Sequence, residues 1–216
     1  DYRSIYNEEI RAGNLHERLD VLILPDLGSS SIINGQSPGN TAPEYVGGIG
    51  DEGIMHVQEF VAKGGKLLCL DTSSNFAIQY FNLPVKNALS GLGRDNFYCP
   101  GSILRIKLDP QQQLAFGMSD RAAAYFAHSY AFEIEQKKKD DFNETPKTGN
   151  PIVAAKYDET VTLLSGFLHG GKNLQDKAAI VSVPYGDGVI VLYGFRVQHR
   201  AQPHGTFRLL FNGIFY

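Results

Sequence analysis

The sequence contains few of the residues from which metal sites, disulfides and membrane helices are built. It has two cysteines, no paired histidines and no apolar run near the roughly 20 residues that span a bilayer. Cys69 lies within an apolar run and Cys99 stands beside Pro100, and neither has the Cys-x-x-Cys or Cys/His spacing of a zinc site. We therefore expect two free thiols, no bound metal or cofactor, and no membrane span.

The histidines are scattered and the charges are mixed. No His-Glu-x-x-His or His-x-x-Glu motif is present, so four isolated histidines are interpreted as surface or hydrogen-bonded core residues. A formal net charge of −3 with interspersed signs forms no basic stripe, which gives nucleic-acid binding no support. The isolated histidines are His16, His56, His128 and His169.

Length and composition predict one domain over residues 1–216. The chain is 43% apolar, which is enough for a sizeable core and too much for a disordered protein. Its first nine residues are polar and do not resemble a signal peptide. Because the chain does not begin with methionine, we expect it to be part of a longer protein.

Two continuous apolar runs in the first third predict buried parallel strands. Residues 20–26 and 65–71 lack the alternation of a half-exposed strand, which is typical of strands covered on both faces. Before them, a short strand at residues 3–6 and a polar helix at residues 8–18 are expected. Residues 27–50 are rich in Gly, Ser, Pro and Asn, and their length predicts a functional or mobile loop.

A helix between the two buried strands is predicted by apolar residues that share one face. Asp51 is placed to cap its N-terminus, and Gly64 to end it in a left-handed conformation. The glycines of residues 47–50 could present amides to an anion, but their spacing matches no phosphate-binding fingerprint and favours a tight turn. The apolar face comprises Ile54, Val57, Phe60 and Val61.

The middle of the chain changes to an alternating pattern. Residues 102–109 alternate apolar and polar side chains, which predicts a strand with one face in water. Further strands are expected at residues 125–134, 152–157 and 160–168. Residues 133–150 are highly charged and are interpreted as a solvated loop rather than a docking surface.

The C-terminal forty residues predict a hairpin, a polar loop and a closing helix. Apolar runs at residues 178–184 and 189–195 flank a Gly-Asp-Gly turn, in which glycine supplies a positive φ. The loop beyond the second strand lies where open α/β sheets bind ligands. We expect it to be ordered, with Thr206 or His204 capping the helix. The candidate ligand-binding residues are Arg196, His199, Arg200 and His204, together with Asp71 and Ser73.

Two alternatives stand beside this ligand site. The arginines could instead pair with Asp71 or another acid at a neighbouring strand end, which would make the loop architectural. The turn after the second buried strand also suggests a hydrolase, with Ser73 or Thr72 as nucleophile and His199 or His204 as base. The Gly-x-Ser-x-Gly pattern of a nucleophile elbow is absent, however, and a serine at this position is typical of a helix N-cap.

Six segments together resemble a known module. They are residues 20–26 (DVLILPD), 43–50 (PEYVGGIG), 60–67 (FVAKGGKL), 83–87 (LPVKN), 100–105 (PGSILR) and 198–207 (QHRAQPHGTF). The chain resembles the C-terminal domain of bacterial secreted zinc carboxypeptidase-like proteins, which is similar to class I glutamine amidotransferases. The resemblance implies an α/β fold with a three-layer, flavodoxin-like sheet and an added β-rich portion.

The resemblance also implies that this chain has neither peptidase nor amidotransferase activity of its own. Its zinc-binding residues belong upstream, and the amidotransferase triad is broken because Cys69 should lie inside a strand and Ala201, not Glu, follows His199 by two. Such domains open with one further strand and helix, which this chain lacks. The implied role is a non-catalytic accessory domain of a secreted or periplasmic protein, whose partners are the upstream peptidase domain and a peptide or glycan.

Overall fold

The computed structural model describes residues 2–39, 41–135, 148–160 and 162–216. Within them lie five helices: α1 (Asn7–Arg11), α2 (Ser29–Asn34), α3 (Gly50–Ala62), α4 (Ser74–Tyr80) and α5 (His204–Phe215). The strands are β1 (Val21–Leu24), β2 (Lys66–Leu70), β3 (Val85–Asn87), β4 (Ser102–Leu108), β5 (Arg121–Phe126), β6 (Phe132–Ile134), β7 (Ile152–Tyr157), β8 (Leu163–Ser165), β9 (Ala178–Tyr185) and β10 (Gly188–Tyr193).

The strands form one mixed sheet in the order β1-β2-β10-β9-β7-β4-β5. Strands β1, β2 and β10 are parallel, whereas every later pair along this path is antiparallel. The short strands attach at the side, where β3 pairs with β6, β6 with β9, and β8 with β4. The parallel part follows from the β-α units at the start of the chain, and the antiparallel part is the β-rich portion.

Alternate residues of the central strands enter two separate cores, because side chains alternate across a strand. In β2, Leu67 and Cys69 pack into the core shared with α3 and α4. Their neighbours Leu68 and Leu70 enter the opposite core, which includes Leu209 of α5. The sheet is therefore covered by helices on both faces, and the prediction of a three-layer α/β fold is confirmed.

The β9–β10 hairpin is confirmed, and its turn docks on the end of α3. Gly186 adopts a φ of +59°, and a Cβ atom there would lie 2.6 Å from the carbonyl oxygen of Ala62. The amide of Asp187 donates to that same oxygen at 3.0 Å. Glycine thus allows both the turn and the close approach of the helix.

Two expected elements at the N-terminus are corrected. Residues 3–6 form no strand, because Tyr6 is the N-cap of α1 and its amide donates to the Glu9 carboxylate. The expected helix at residues 8–18 ends early, since Gly13 and Asn14 adopt positive φ values and a separate 3₁₀ turn, Leu15–Glu17, follows.

The segment 27–50 is also more structured than expected. It contains α2 and a 3₁₀ turn at Pro43–Tyr45, and it buries Ile32 and Ile49. Helix α3 begins at Gly50 with Ile49 as N-cap, so Asp51 lies in the first turn and does not cap it. Gly64 has a φ of +105° just beyond the helix, as predicted.

The strand expected at residues 125–134 is split into β5 and β6. His128 adopts a φ of +57°, and Ser129 Oγ accepts a hydrogen bond from the amide of Ala127. Together they turn the chain between the two strands. The strand expected at 160–168 shortens to β8, because Thr160 folds back onto Asp158 through its amide and hydroxyl. Most of the charged segment 133–150 lies outside the described residues.

No helix among the described residues has the length and apolar character to cross a membrane.

Candidate functional site

Three charged residues meet where the parallel strands end. Asp26 follows β1 by two residues, Asp71 follows β2 directly, and Arg196 follows β10 by three. Because β1, β2 and β10 are neighbouring parallel strands, their carboxyl ends lie at one edge of the sheet. The topology therefore brings these side chains together.

Arg196 binds both carboxylates. Its Nη2 lies 3.0 Å from Asp26 Oδ2, and its Nε lies 3.3 Å from Asp71 Oδ2. Its Nη1 donates to Nδ1 of His199 at 3.4 Å, while its backbone amide donates to the carbonyl of Tyr125. The guanidinium is thus engaged on three sides, although 27% of the Arg196 side chain and 31% of the Asp26 side chain remain exposed.

Asp71 is the most unusual residue of this edge. It is fully buried and has a φ of +53°, in the left-handed region that few residues other than glycine adopt. Ser129 Oγ donates to its Oδ2 at 2.8 Å. In the part of the chain that the structure describes, its Oδ1 has no hydrogen-bond partner.

Burial governs the ionisation of Asp71. Loss of hydration raises the pKa of this carboxyl to about 7, and the nearby Asp26 charge also raises it, while Ser129 and Arg196 act in the opposite direction. Near neutral pH the carboxyl therefore exchanges between its protonated and ionised forms. The pKa of Tyr130 is raised as well, first by burial and then by Asp71 and Asp26.

The hydroxyls of the neighbouring turn have structural partners. Thr72 Oγ1 donates to Asp26 Oδ1 at 2.5 Å, and Ser73 Oγ is buried against the carbonyls of Leu24 and Leu70 at 3.1 and 2.9 Å. Neither hydroxyl bonds to an imidazole within the described residues. Ser73 occupies the N-cap position of α4, but its side chain makes no capping bond.

The loop before α5 holds the remaining candidate residues. The ring of His199 lies 5.1 Å from that of Tyr125, and His204 Nε2 contacts the carbonyl of Ala201 at 2.7 Å. Arg200 is exposed and has a φ of +48°. The structure thus brings Arg196, His199 and Asp71 together, while Arg200 and His204 lie outside their hydrogen bonds.

The loop is held by bonds to carbonyls rather than by a helix cap. Thr206 Oγ1 lies 2.7 Å from the carbonyl of Val197 and 3.0 Å from that of Pro203. Neither Thr206 nor His204 caps the first amides of α5, contrary to expectation, because Pro203 is the N-cap and no side chain bonds there. The Thr206 hydroxyl instead donates to these carbonyls, and so anchors the start of α5 to the loop that follows β10.

Neither thiol reaches this edge of the sheet. Cys69 lies inside β2 and is fully buried, and burial raises the pKa of its thiol. Burial likewise raises the pKa of Cys99, and both cysteines are free. The described residues also contain no group of three or more His, Cys, Asp or Glu side chains that could hold a metal ion.

Sequence reasoning missed two members of this site. Asp26 could have been found, since it directly follows the Leu24-Pro25 end of a predicted parallel strand. Ser129 carries no such signal, because its position depends on the left-handed turn at His128.

Comparison with known proteins finds likeness in structure alone. No family model matches the chain, and no curated protein matches it. A solved structure of a cytoplasmic protein from Salmonella typhimurium matches with a TM-score of 0.51 and 14% identity, covering 99% of this chain and 75% of that one. This likeness concerns the fold.

Two further solved structures are similar at lower scores. A GMP synthase-like protein from Thermoplasma acidophilum matches with a TM-score of 0.49 and 12% identity, over 98% of this chain and 78% of that one. A ThuA-like protein from Bacteroides uniformis matches with a TM-score of 0.47 and 15% identity, over 95% and 72%.

Proposed function

We propose that this chain is a non-catalytic, ligand-binding accessory domain with an amidotransferase-like fold, carried by a secreted zinc carboxypeptidase-like protein. The observation that supports the non-catalytic role is the identity and bonding of Asp71. This residue occupies the strained turn directly after β2, which is the place where an amidotransferase requires a cysteine.

Asp71 is bonded as a structural anchor. Its Oδ2 accepts from Ser129 and Arg196, and the residue has no exposed surface from which to attack a substrate. Cys69 lies two residues earlier in the strand and is equally buried. A nucleophile needs both access and an activating base, and neither residue has the first.

The charge balance of the edge favours a neutral ligand. Arg196 is already bound by Asp26 and Asp71, so its positive charge is offset and is less available to a ligand carboxylate. What remains accessible is the exposed part of Asp26 and Arg196, beside the paired rings of Tyr125 and His199. A glycan or a polar peptide fits this surface. Its hydroxyl or amide groups can donate and accept hydrogen bonds there, and its apolar face can pack against the aromatic rings.

The absence of glutaminase activity is tested by ammonia release from glutamine. We expect the wild-type chain and the Cys69→Ala variant to give the same background rate. Release by the wild type that disappears in Cys69→Ala would overturn the non-catalytic role.

Ligand binding is tested by titrating neutral oligosaccharides and short peptides while following the Nε–H signal of Arg196 by NMR. We expect that signal to shift with a member of one class, and the shift to be lost in Tyr125→Ala but kept in the control Tyr2→Ala, since Tyr2 is 89% exposed. If no member of either class moves the signal, the ligand proposal fails while the glutaminase result stands.

The parent protein is tested by the residues that precede Asp1 in the natural protein. The proposal expects a secretion signal and a peptidase domain with a His-x-x-Glu motif and a distant histidine. A different upstream domain would contradict it.

A further inference from the structure

Three cationic side chains form a row across neighbouring strands, far along the sheet from Asp71. Lys107 of β4 is directly opposite Lys156 of β7 on one side and Arg121 of β5 on the other. Residues directly opposite each other in antiparallel strands project from the same face of the sheet. All three side chains are exposed. Like charges in this arrangement repel, so the row costs stability unless an anion lies across it.

Two neighbouring acids leave the lysines of the row without an ion pair among the described residues, because one binds Arg121 and the other binds a turn. Asp158 Oδ2 accepts from Arg121 Nε at 3.2 Å, and its Oδ1 accepts from Thr160. Asp109 accepts from the amide of Gln111 and from the side chain of Gln112. Asp158 therefore neutralises Arg121, whereas Asp109 is held by the Gln111–Gln112 turn and pairs with neither lysine of the row.

Glu159, the third acid near the row, interacts mainly with Asp176. Glu159 shares a hydrogen bond with Asp176, which raises the pKa of Glu159, while Lys156 and Lys107 act weakly in the opposite direction. Within the residues that the structure describes, Lys107 and Lys156 form no ion pair. Lys107 and Lys156 thus lie within electrostatic range of Glu159 but hold no carboxylate in direct contact in the described part of the chain.

A cavity of about 510 Å³ lies over this row. Lys107, Arg121 and Lys156 line it, together with residues 153–155 and the acids Asp109, Asp158 and Glu159. Its size falls within the range of roughly 300–1,000 Å³ that is usual for small-molecule sites. The cavity therefore lies beside the two lysines that form no ion pair among the described residues, Lys107 and Lys156.

We propose that this cavity binds a small anion with two or more charged oxygens, either a phosphate or a polycarboxylate, through Lys107 and Lys156 with Arg121 at its edge. The ammonium groups supply point charges to two separate oxygens, and the guanidinium, held in place by Asp158, offers its outer nitrogens. The site shares no residue with the Asp26–Asp71–Arg196 cluster, so it is independent of the function proposed above.

The test measures binding of inorganic phosphate and of citrate to the whole chain by NMR, from the amide shifts of residues 107 and 156. The two anions separate a phosphate site from a polycarboxylate site, and binding of either one supports the proposal. We expect Lys107→Gln/Lys156→Gln to weaken binding roughly tenfold, equivalent to about 1.4 kcal/mol. The matched control is Lys172→Gln, which removes an exposed lysine outside the cavity and should leave binding unchanged.

Thermal unfolding of each variant checks that the fold is intact. Because the double variant removes repulsion, it should unfold no earlier than the wild type. The proposal is overturned if neither anion moves these amides at millimolar concentration, or if the double variant binds as tightly as the Lys172→Gln control.

Discussion

The parallel and antiparallel halves of the sheet treat their charged residues in opposite ways. Strands β2 and β10 are almost continuously buried, and the charges at their ends are paired around Arg196. Strand β4 alternates buried and exposed residues, and its outer face carries Lys107 opposite two further cations. The first half pairs the charges at its strand ends, whereas the second pairs Arg121 with Asp158 but leaves Lys107 and Lys156 without an ion pair among the described residues.

The difference follows from how each half is covered. Where helices cover both faces, a charge that lacks a partner loses its hydration and is costly, so Asp71 must have Arg196 and Ser129. Where one face meets water, the solvent screens like charges and the fold tolerates them. Cations without an ion pair can therefore persist in the second half, as the proposed anion site requires.

The largest expected effect lies in the helix-covered core. Phe60→Ala removes a ring that is 1% exposed, and we expect a loss of about 4 kcal/mol in the free energy of unfolding. Met55→Ala, on the same helix but 59% exposed, is the control and should change stability by less than about 0.5 kcal/mol. Denaturant unfolding measures both. Equal effects would mean that this face of α3 is not packed.

The next effect separates the paired arginine from the exposed one. Arg196→Ala leaves Asp26 and Asp71 without a cation, and at pH 8 we expect it to cost about 3 kcal/mol. At pH 5 the cost should be smaller, because Asp71 can take up a proton. Arg200→Ala is the control and should be nearly neutral at both pH values. Similar losses in the two variants would contradict the assigned pairing.

A smaller effect concerns the pH dependence of stability. The folded-state pKa of Asp71 is about 7, above its unfolded value of 3.8, so the folded chain holds the extra proton between these values. Its contribution to stability is complete below pH 4 and is lost as the pH rises towards 7. Between about pH 5.5 and pH 7 this loss is about 2 kcal/mol, and Asp71→Asn should remove it. Parallel pH profiles for variant and wild type would count against the raised pKa.

The smallest effect tests the cationic row itself. Lys107→Thr relieves repulsion from Lys156 and Arg121, and at low salt it should raise the free energy of unfolding by about 0.3 kcal/mol. The gain should fall at high salt, because exposed charges are then screened. Lys172→Thr should show neither effect. A loss of stability in Lys107→Thr would mean that the row is already compensated.

Much of the fold follows from local patterns in the sequence. The runs at β1, β2, β9 and β10 are apolar enough to require cover on both faces, and the Gly186 turn fixes the hairpin. Where the prediction failed, as at residues 125–134, a non-glycine residue adopts a positive φ that periodicity cannot reveal.

The candidate site was only partly predictable. The end of β10 identifies Arg196, and pairing with Asp71 was one of two alternatives. Which alternative holds depends on strand order, because only the insertion of β10 beside β2 brings the two residues together. The cationic row depends in the same way on the register between β4, β5 and β7.

The most direct test of this account is the titration of the Asp71 carboxyl by NMR in a chain with ¹³C-labelled aspartate, assigned with Asp71→Asn. A buried anchor bound by Arg196 and Ser129 predicts a midpoint at about pH 7. A midpoint at the ordinary aspartate value of about 3.9 that stays the same in Arg196→Ala would show that the carboxyl is hydrated and not held by Arg196, and would contradict the anchoring role on which the non-catalytic proposal depends.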